Sequence, residues 1–96
     1  MIIPTAQLAS LVGQVTMVDG SFDPLHDGHI AYFKAAAQLG LPVLCNIAAD
    51  DWTITKHPVL LSQAQRAEVI DAIRYIDYVH LSHSTTLEVL MMLQPR

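Results

Sequence analysis

Apolar positions along the chain switch repeatedly between a two-residue rhythm and a 3.6-residue rhythm, the alternation of strands interleaved with helices. Thr5 can cap a short helix running through Val12, with Gly13 as its C-terminal stop. Gln14 to Asp19 is a β-branched run ending in Gly20 and reads as a buried strand. Asp27 can cap a helix over Gly28 to Leu39, whose Ile30, Phe33 and Ala37 share one face and which Gly40 and Pro42 close. Val43 to Ala48 is the next strand. Ser62 and Gln65 have capping-box spacing for a helix with Val69, Ile70 and Ile73 on one stripe, followed by a short strand, Tyr78 to Leu81. Thr85 and Glu88 repeat the box spacing ahead of Leu87, Leu90 and Met91, and Pro95 ends the segment.

Strands separated by helices of this length pair in parallel through right-handed crossovers, so the expected class is α/β: a Rossmann-like parallel sheet with flanking helices. In the usual strand order 3-2-1-4 the first strand is central, yet only three strands are read before Arg96. Residues 1–96 are therefore expected to be a single, C-terminally truncated domain lacking the later strands, or to pair as a homodimer through the open edge carrying Val15 and Met17. Ligands in such sheets sit beyond the carboxyl ends of the strands.

Composition narrows the function. Hydrophobic residues make up 52% of the 96 and charged residues 15%, enough for one core and without a disorder signature. A net charge of −4 argues against nucleic acid or an anionic membrane as partner, so any anionic ligand must be held by local groups. No apolar run approaches the ~20 residues that span a bilayer, no secretory signal opens the chain, and the single cysteine, Cys45, excludes an internal disulfide. A cytoplasmic location is the expectation.

The densest chemistry lies between the first strand and the first long helix: Gly20-Ser21-Phe22-Asp23-Pro24-Leu25-His26-Asp27-Gly28-His29. Gly20 lets the backbone approach a ligand, Gly28 clears the helix N-terminus, and free N–H groups there attract anions. His26 and His29, three apart, project toward the same place and can contact one polyphosphate, with imidazolium as the expected donor form. A histidine pair can also begin a metal site, but no cysteine or third histidine lies close in sequence, so no protein-held metal is expected. Ser21 lacks the flanking pattern of a nucleophile elbow. His57, His80 and His83 read as surface or strand-end residues. Trp52 can stack on a ligand or pack over its own loop.

The pattern Gly-x-Phe-Asp-x-x-His-x-Gly-His, carried by Gly20, Phe22, Asp23, His26, Gly28 and His29, resembles that of the His-x-Gly-His (cytidylyltransferase-like) nucleotidyltransferases. Arg66-Ala67-Glu68-Val69-Ile70 and Ile76-Asp77-Tyr78-Val79 look like the heptose-phosphate adenylyltransferase and glycerol-3-phosphate cytidylyltransferase branches. The resemblance implies transfer of a nucleoside monophosphate from ATP or CTP to a phosphorylated sugar, polyol or alcohol, with release of pyrophosphate and with Mg2+ carried mainly by the triphosphate. It further implies that Ser21 and the Phe22 backbone hold phosphates, that His26 and His29 stabilise the transition state, and that Lys56 neutralises triphosphate charge. Arg66 would orient the far side of the pocket and Asp50 would contact substrate or nucleotide. The family's late Ser/Thr-rich motif has no counterpart, since Ser84-Thr85-Thr86 reads as a helix cap. The alternative is a non-catalytic nucleotide-binding module that keeps the phosphate loop.

Overall fold

The computed structural model describes residues 1–11 and 13–82. The helix expected from Thr85 lies outside them. In chain order the elements are β1 (Ile2–Ile3), a 3-10 helix (Thr5–Leu11), β2 (Thr16–Gly20), α1 (Asp27–Ala37), β3 (Val43–Ile47), α2 (Asp50–Thr53), α3 (Gln63–Asp71) and β4 (Tyr78–Leu81). The strands form one parallel sheet in the order β1-β4-β3-β2. The expected 3-2-1 order thus appears as β4-β3-β2, in a Rossmann-like α/β arrangement.

Because side chains alternate across a strand, each strand feeds two faces. Val18, Val43, Cys45, Ile47 and Val79 meet Phe33 and Ala36 of α1 and Ala67 and Ile70 of α3 in the larger core. Leu44 joins Ile3, Leu8, Leu11 and Val15 in a second core on the other face. All five residues of β3 are buried, as a central strand covered on both sides requires.

Several local expectations are corrected. Ile2–Ile3 is a strand because β4 offers a pairing edge, a long-range reason that local sequence does not carry. Thr5 begins the 3-10 helix, and its hydroxyl bonds His80 instead of capping. Of the two apolar side chains expected on the open β2 edge, Val15 is packed beneath Leu8 and Leu11 and almost wholly buried, while Met17 is half-buried against the same core. Val69 faces solvent, and the inward stripe of α3 is Arg66, Ala67 and Ile70. Gly13 and Gly40 do close their helices, with φ of 69° and 94°, conformations that cost glycine little. Ser62 and Gln65 form the reciprocal capping box that their spacing predicts.

Candidate active site

The carboxyl ends of β2 and β3 face the loop 21–26 and the segment 48–62, and most of the predicted site residues gather there. Gly20 ends β2, and its carbonyl accepts from Ala48 N at 2.9 Å, which ties the two strand ends together. A Cβ on Gly20 would stand 3.1 Å from the Phe22 ring, so this glycine makes room for an aromatic side chain of its own loop. Phe22 adopts φ of 53°, unusual for a bulky residue, while its ring is buried edge-on to His29 and Phe33 at centroid distances of 5.1 and 5.2 Å. Burial of that ring offsets the backbone cost and fixes the loop against α1.

The cap of α1 is His26, one residue earlier than expected. Its Nδ1 accepts from Gly28 N, and the Nδ1 of His29 accepts from His26 N, both at 3.1 Å. The two rings stack with centroids 3.9 Å apart. A backbone N–H can only donate, so in this arrangement each Nδ1 is the acceptor and Nε2 is the ring nitrogen left to donate. One correction follows. The amides of His26 and Gly28 are occupied by ring nitrogens, so they are not the free N–H groups expected to meet an anion. Protonating the His29 ring at Nδ1 would set it against the His26 backbone donor. Burial, and then the neighbouring His26, hold the His29 pKa below the usual histidine value. A Cβ on Gly28 would lie 2.8 Å from Cε1 of His26, so the glycine exists to admit that ring.

Asp23 and Arg66 are internal fasteners of the loop. The buried Asp23 carboxylate accepts from the amides of Leu60 and Leu61 at 2.8 and 3.1 Å, fixing the 58–62 segment to the loop 21–26. Arg66 is 1% exposed and spends its fork on three partners: Nη1 donates to Ser21 O at 2.6 Å, Nε to Leu61 O at 3.1 Å, and Nη2 to Asp50 Oδ1 at 2.5 Å. Their action on any ligand passes through the backbone they hold. Ser21 Oγ accepts from Thr53 Oγ1 at 3.1 Å. Lys56 is exposed and rests over the Trp52 ring, its Nζ 5.1 Å from the centroid.

Sequence reasoning missed several contributors. Thr53, fully buried, joins α2 to Ser21. On the face of the sheet opposite α1, Asn46 Nδ2 donates to Asp19 at 2.8 Å, Asn46 Oδ1 pairs with His80 Nδ1 at 2.8 Å, and His80 Nε2 meets Thr5 Oγ1 at 2.9 Å. His80 is thus a buried strand-end residue, the second of the two placements expected for it. The available signal was positional: Asp19, Asn46 and His80 are each the penultimate residue of their strands. Cys45 is a buried core thiol, pushed well above its ordinary pKa by burial and then by Asp19. No described helix is long and apolar enough to cross a membrane.

The sequence profile of the cytidylyltransferase-like family matches residues 17–95. The FAD synthase of Pyrococcus abyssi is 38% identical over 84 residues, covering 82% of this chain and 56% of that protein. The FAD synthase of Halomicrobium mukohataei is 30% identical over 74 residues, covering 77% and 52%. The bifunctional protein HldE of Trichlorobacter lovleyi is 34% identical over 88 residues, covering 86% of this chain and 18% of that protein. Among solved structures, the lipopolysaccharide core biosynthesis protein of Thermoplasma volcanium superposes with a TM-score of 0.76 at 25% identity, over 84% of this chain and 68% of that one. The chain spans about half the length of the FAD synthases it matches.

Proposed function

Since the chain belongs to the cytidylyltransferase-like family, we propose that it serves nucleotidyl transfer: a nucleoside monophosphate passes from ATP or CTP to the phosphate of a small acceptor, a phosphorylated sugar, polyol or alcohol. An acceptor phosphate oxygen attacks the α-phosphorus, the α–β bond breaks, its electron pair leaves on pyrophosphate, and a new diphosphate linkage forms. The FAD synthase relatives favour ATP, because FAD contains an adenosine monophosphate half.

The reciprocal cap of His26 and His29 carries this reading. Each Nδ1 is backed by a peptide N–H, so each Nε2–H is a fixed, polarised donor at the positive end of an 11-residue helix. Donors set in place before reaction stabilise charge that develops on phosphate oxygens without reorganising. Gly20, Ser21, Phe22 and Gly28 shape the loop around them, Asp23, Asp50 and Arg66 hold that loop in register, and Lys56 supplies a mobile cation for the triphosphate. Mg2+ would ride on the nucleotide and neutralise its charge. The setting we propose is the cytoplasm.

Pyrophosphate release from ATP or CTP with magnesium and a panel of phosphorylated acceptors tests the reading. His26→Ala or His29→Ala should lower turnover by ~10²- to 10³-fold, and a change below about fivefold would remove the imidazoles from the chemistry. A second reading is a nucleotide-binding module without turnover that keeps the loop 21–26 and its histidine pair. Nucleotide binding with no pyrophosphate release under any acceptor would select it.

A further inference from the structure

The ladder between β3 and β4 closes where Ser82 N, one residue past β4, donates to Ile47 O, the last carbonyl of β3, at 3.0 Å. Gln63, the first residue of α3, reaches across this end: its Nε2 donates to Ile47 O at 3.0 Å and to Ser82 O at 2.9 Å. Both neighbours are carbonyl oxygens, so it is the amide nitrogen that must face them. Helix capping does not need this side chain, because Ser62 and Gln65 already cap α3. Ile47 O shares a peptide unit with the N–H of Ala48, which donates to Gly20 O at 2.9 Å, and Gly20 O shares a peptide unit with the N–H of Ser21. Both units are trans and planar, so each N–H points opposite to its own carbonyl, and fixing the carbonyl fixes the donor. One line of hydrogen bonds thus crosses the carboxyl ends of β4, β3 and β2. It starts on the Gln63 and Ser82 donors and ends on the Ser21 amide, directed away from β3.

We propose that Gln63 is a positioning residue of the site: through the peptide units 47–48 and 20–21 it orients and polarises the Ser21 N–H as a donor to a nucleotide phosphate. This rests on the nucleotidyl-transfer reading and adds to it the side chain that sets one of its backbone donors. Hydrogen bonds in such a chain strengthen one another, so a donor placed at its start is felt at its end. Arg66, one turn further along α3, holds Ser21 O by its guanidinium. The first turn of α3 therefore governs the peptide units on both sides of Ser21, one through Arg66 directly and the other through β3.

Gln63→Met keeps the length of the side chain and removes its donors, whereas Gln63→Lys brings an ammonium donor to the same two carbonyls. An amide nitrogen responds to hydrogen bonding at the carbonyl of its own peptide unit. In the full chain without nucleotide, the amide nitrogen resonances of Ala48 and Ser21 should therefore both shift in Gln63→Met and both move back in Gln63→Lys. Affinity for Mg-ATP, measured by calorimetry at a temperature where both variants are folded, should fall about fivefold in Gln63→Met, the scale of one neutral hydrogen bond. It should recover to within about twofold of wild type in Gln63→Lys. A Ser21 resonance that stays in place in the methionine variant overturns the proposal. Equal weakening in both variants does so too, since the shape of glutamine and not its donors would then matter. Wild type that binds Mg-ATP and releases pyrophosphate, with Gln63→Met binding as tightly, removes Gln63 alone. Wild type that binds neither Mg-ATP nor Mg-CTP sinks the underlying reading.

Discussion

Gly28 and His29 show how one residue can carry two separable roles. At Gly28 an alanine would raise helix propensity by up to ~1 kcal/mol, yet its Cβ would collide with the His26 ring, 2.8 Å away. His26 is exposed, so its ring can swing aside at little cost beyond its cap, worth about 1 kcal/mol. Gly28→Ala should therefore leave the urea midpoint almost unmoved while turnover falls about a hundredfold, since the displaced Nε2–H no longer meets the reacting phosphate. Equal loss of stability and turnover would contradict this. At His29 the lowered pKa makes the folded state bind its proton later than the unfolded chain does. The neutral ring's stability is then fully present above the unfolded value near 6.5 and is lost as pH falls from there through the folded pKa. His29→Gln keeps the box geometry that Gln65 already supplies in α3 and removes the titration. Wild type should lose stability relative to this variant between pH 7.5 and pH 5, in parallel urea series. A constant difference would mean that the ring is free to protonate in place.

Among elements, α3 and the loop 21–26 are joined through Arg66, and the two ends of its ion pair differ in kind. Arg66 is buried, whereas the Asp50 side chain is 45% exposed and keeps access to water. Replacing Arg66 by methionine strands the Ser21 and Leu61 carbonyls and should cost ~2–3 kcal/mol. Asp50→Asn keeps an acceptor oxygen for Nη2 and removes only the charge of a half-exposed partner, so it should cost under ~1 kcal/mol. Arg66→Lys should resemble the methionine variant, because a single ammonium cannot reproduce a fork aimed at three acceptors. Guanidinium denaturation of the three variants checks the order, and equal effects of Arg66→Met and Asp50→Asn would show that the exposed ion pair, not the buried clamp, matters. This clamp was only half legible in the sequence. Near the positive end of α3 a cation is disfavoured unless acceptors meet it, and those of Arg66 are two carbonyls and a carboxylate that become neighbours only after the sheet forms. The α3 capping box and the two closing glycines were readable because their signals are local. The cap of α1 was misplaced by one residue because Asp27 outranks histidine as a capping residue by propensity, and the stacked imidazole pair reverses that preference.

Across the whole molecule, the faces of the sheet are unequal in chemistry. One face is apolar throughout, filled by α1 and α3. The other changes from apolar at Leu44 and Val15 to a polar row in register, Asp19 opposite Asn46 and Asn46 opposite His80. Strand spacing was readable, and so were the parallel sheet and the β4-β3-β2 order. The row was not, because single polar residues near strand ends carry no sign of pairing until the register aligns them. Its consequence is mechanical: Thr5, next to β1, is linked through His80 and Asn46 to Asp19, which immediately precedes the phosphate-loop glycine Gly20. Asn46→Leu fills a similar volume but removes a hydrogen bond from both Asp19 and His80, each part of a buried network, and should cost ~2–4 kcal/mol. Thr5→Val, at the exposed end, should cost about 1 kcal/mol. If His80 transmits between them, the double variant will be less destabilised than the sum by more than ~0.5 kcal/mol, because losing either anchor already breaks the link through the imidazole. Urea unfolding of the four proteins closes the cycle. Costs that add within about 0.3 kcal/mol would mean that the row is a set of independent pairs, and that the amino-terminal segment reaches the phosphate loop only through the backbone ladder of the sheet.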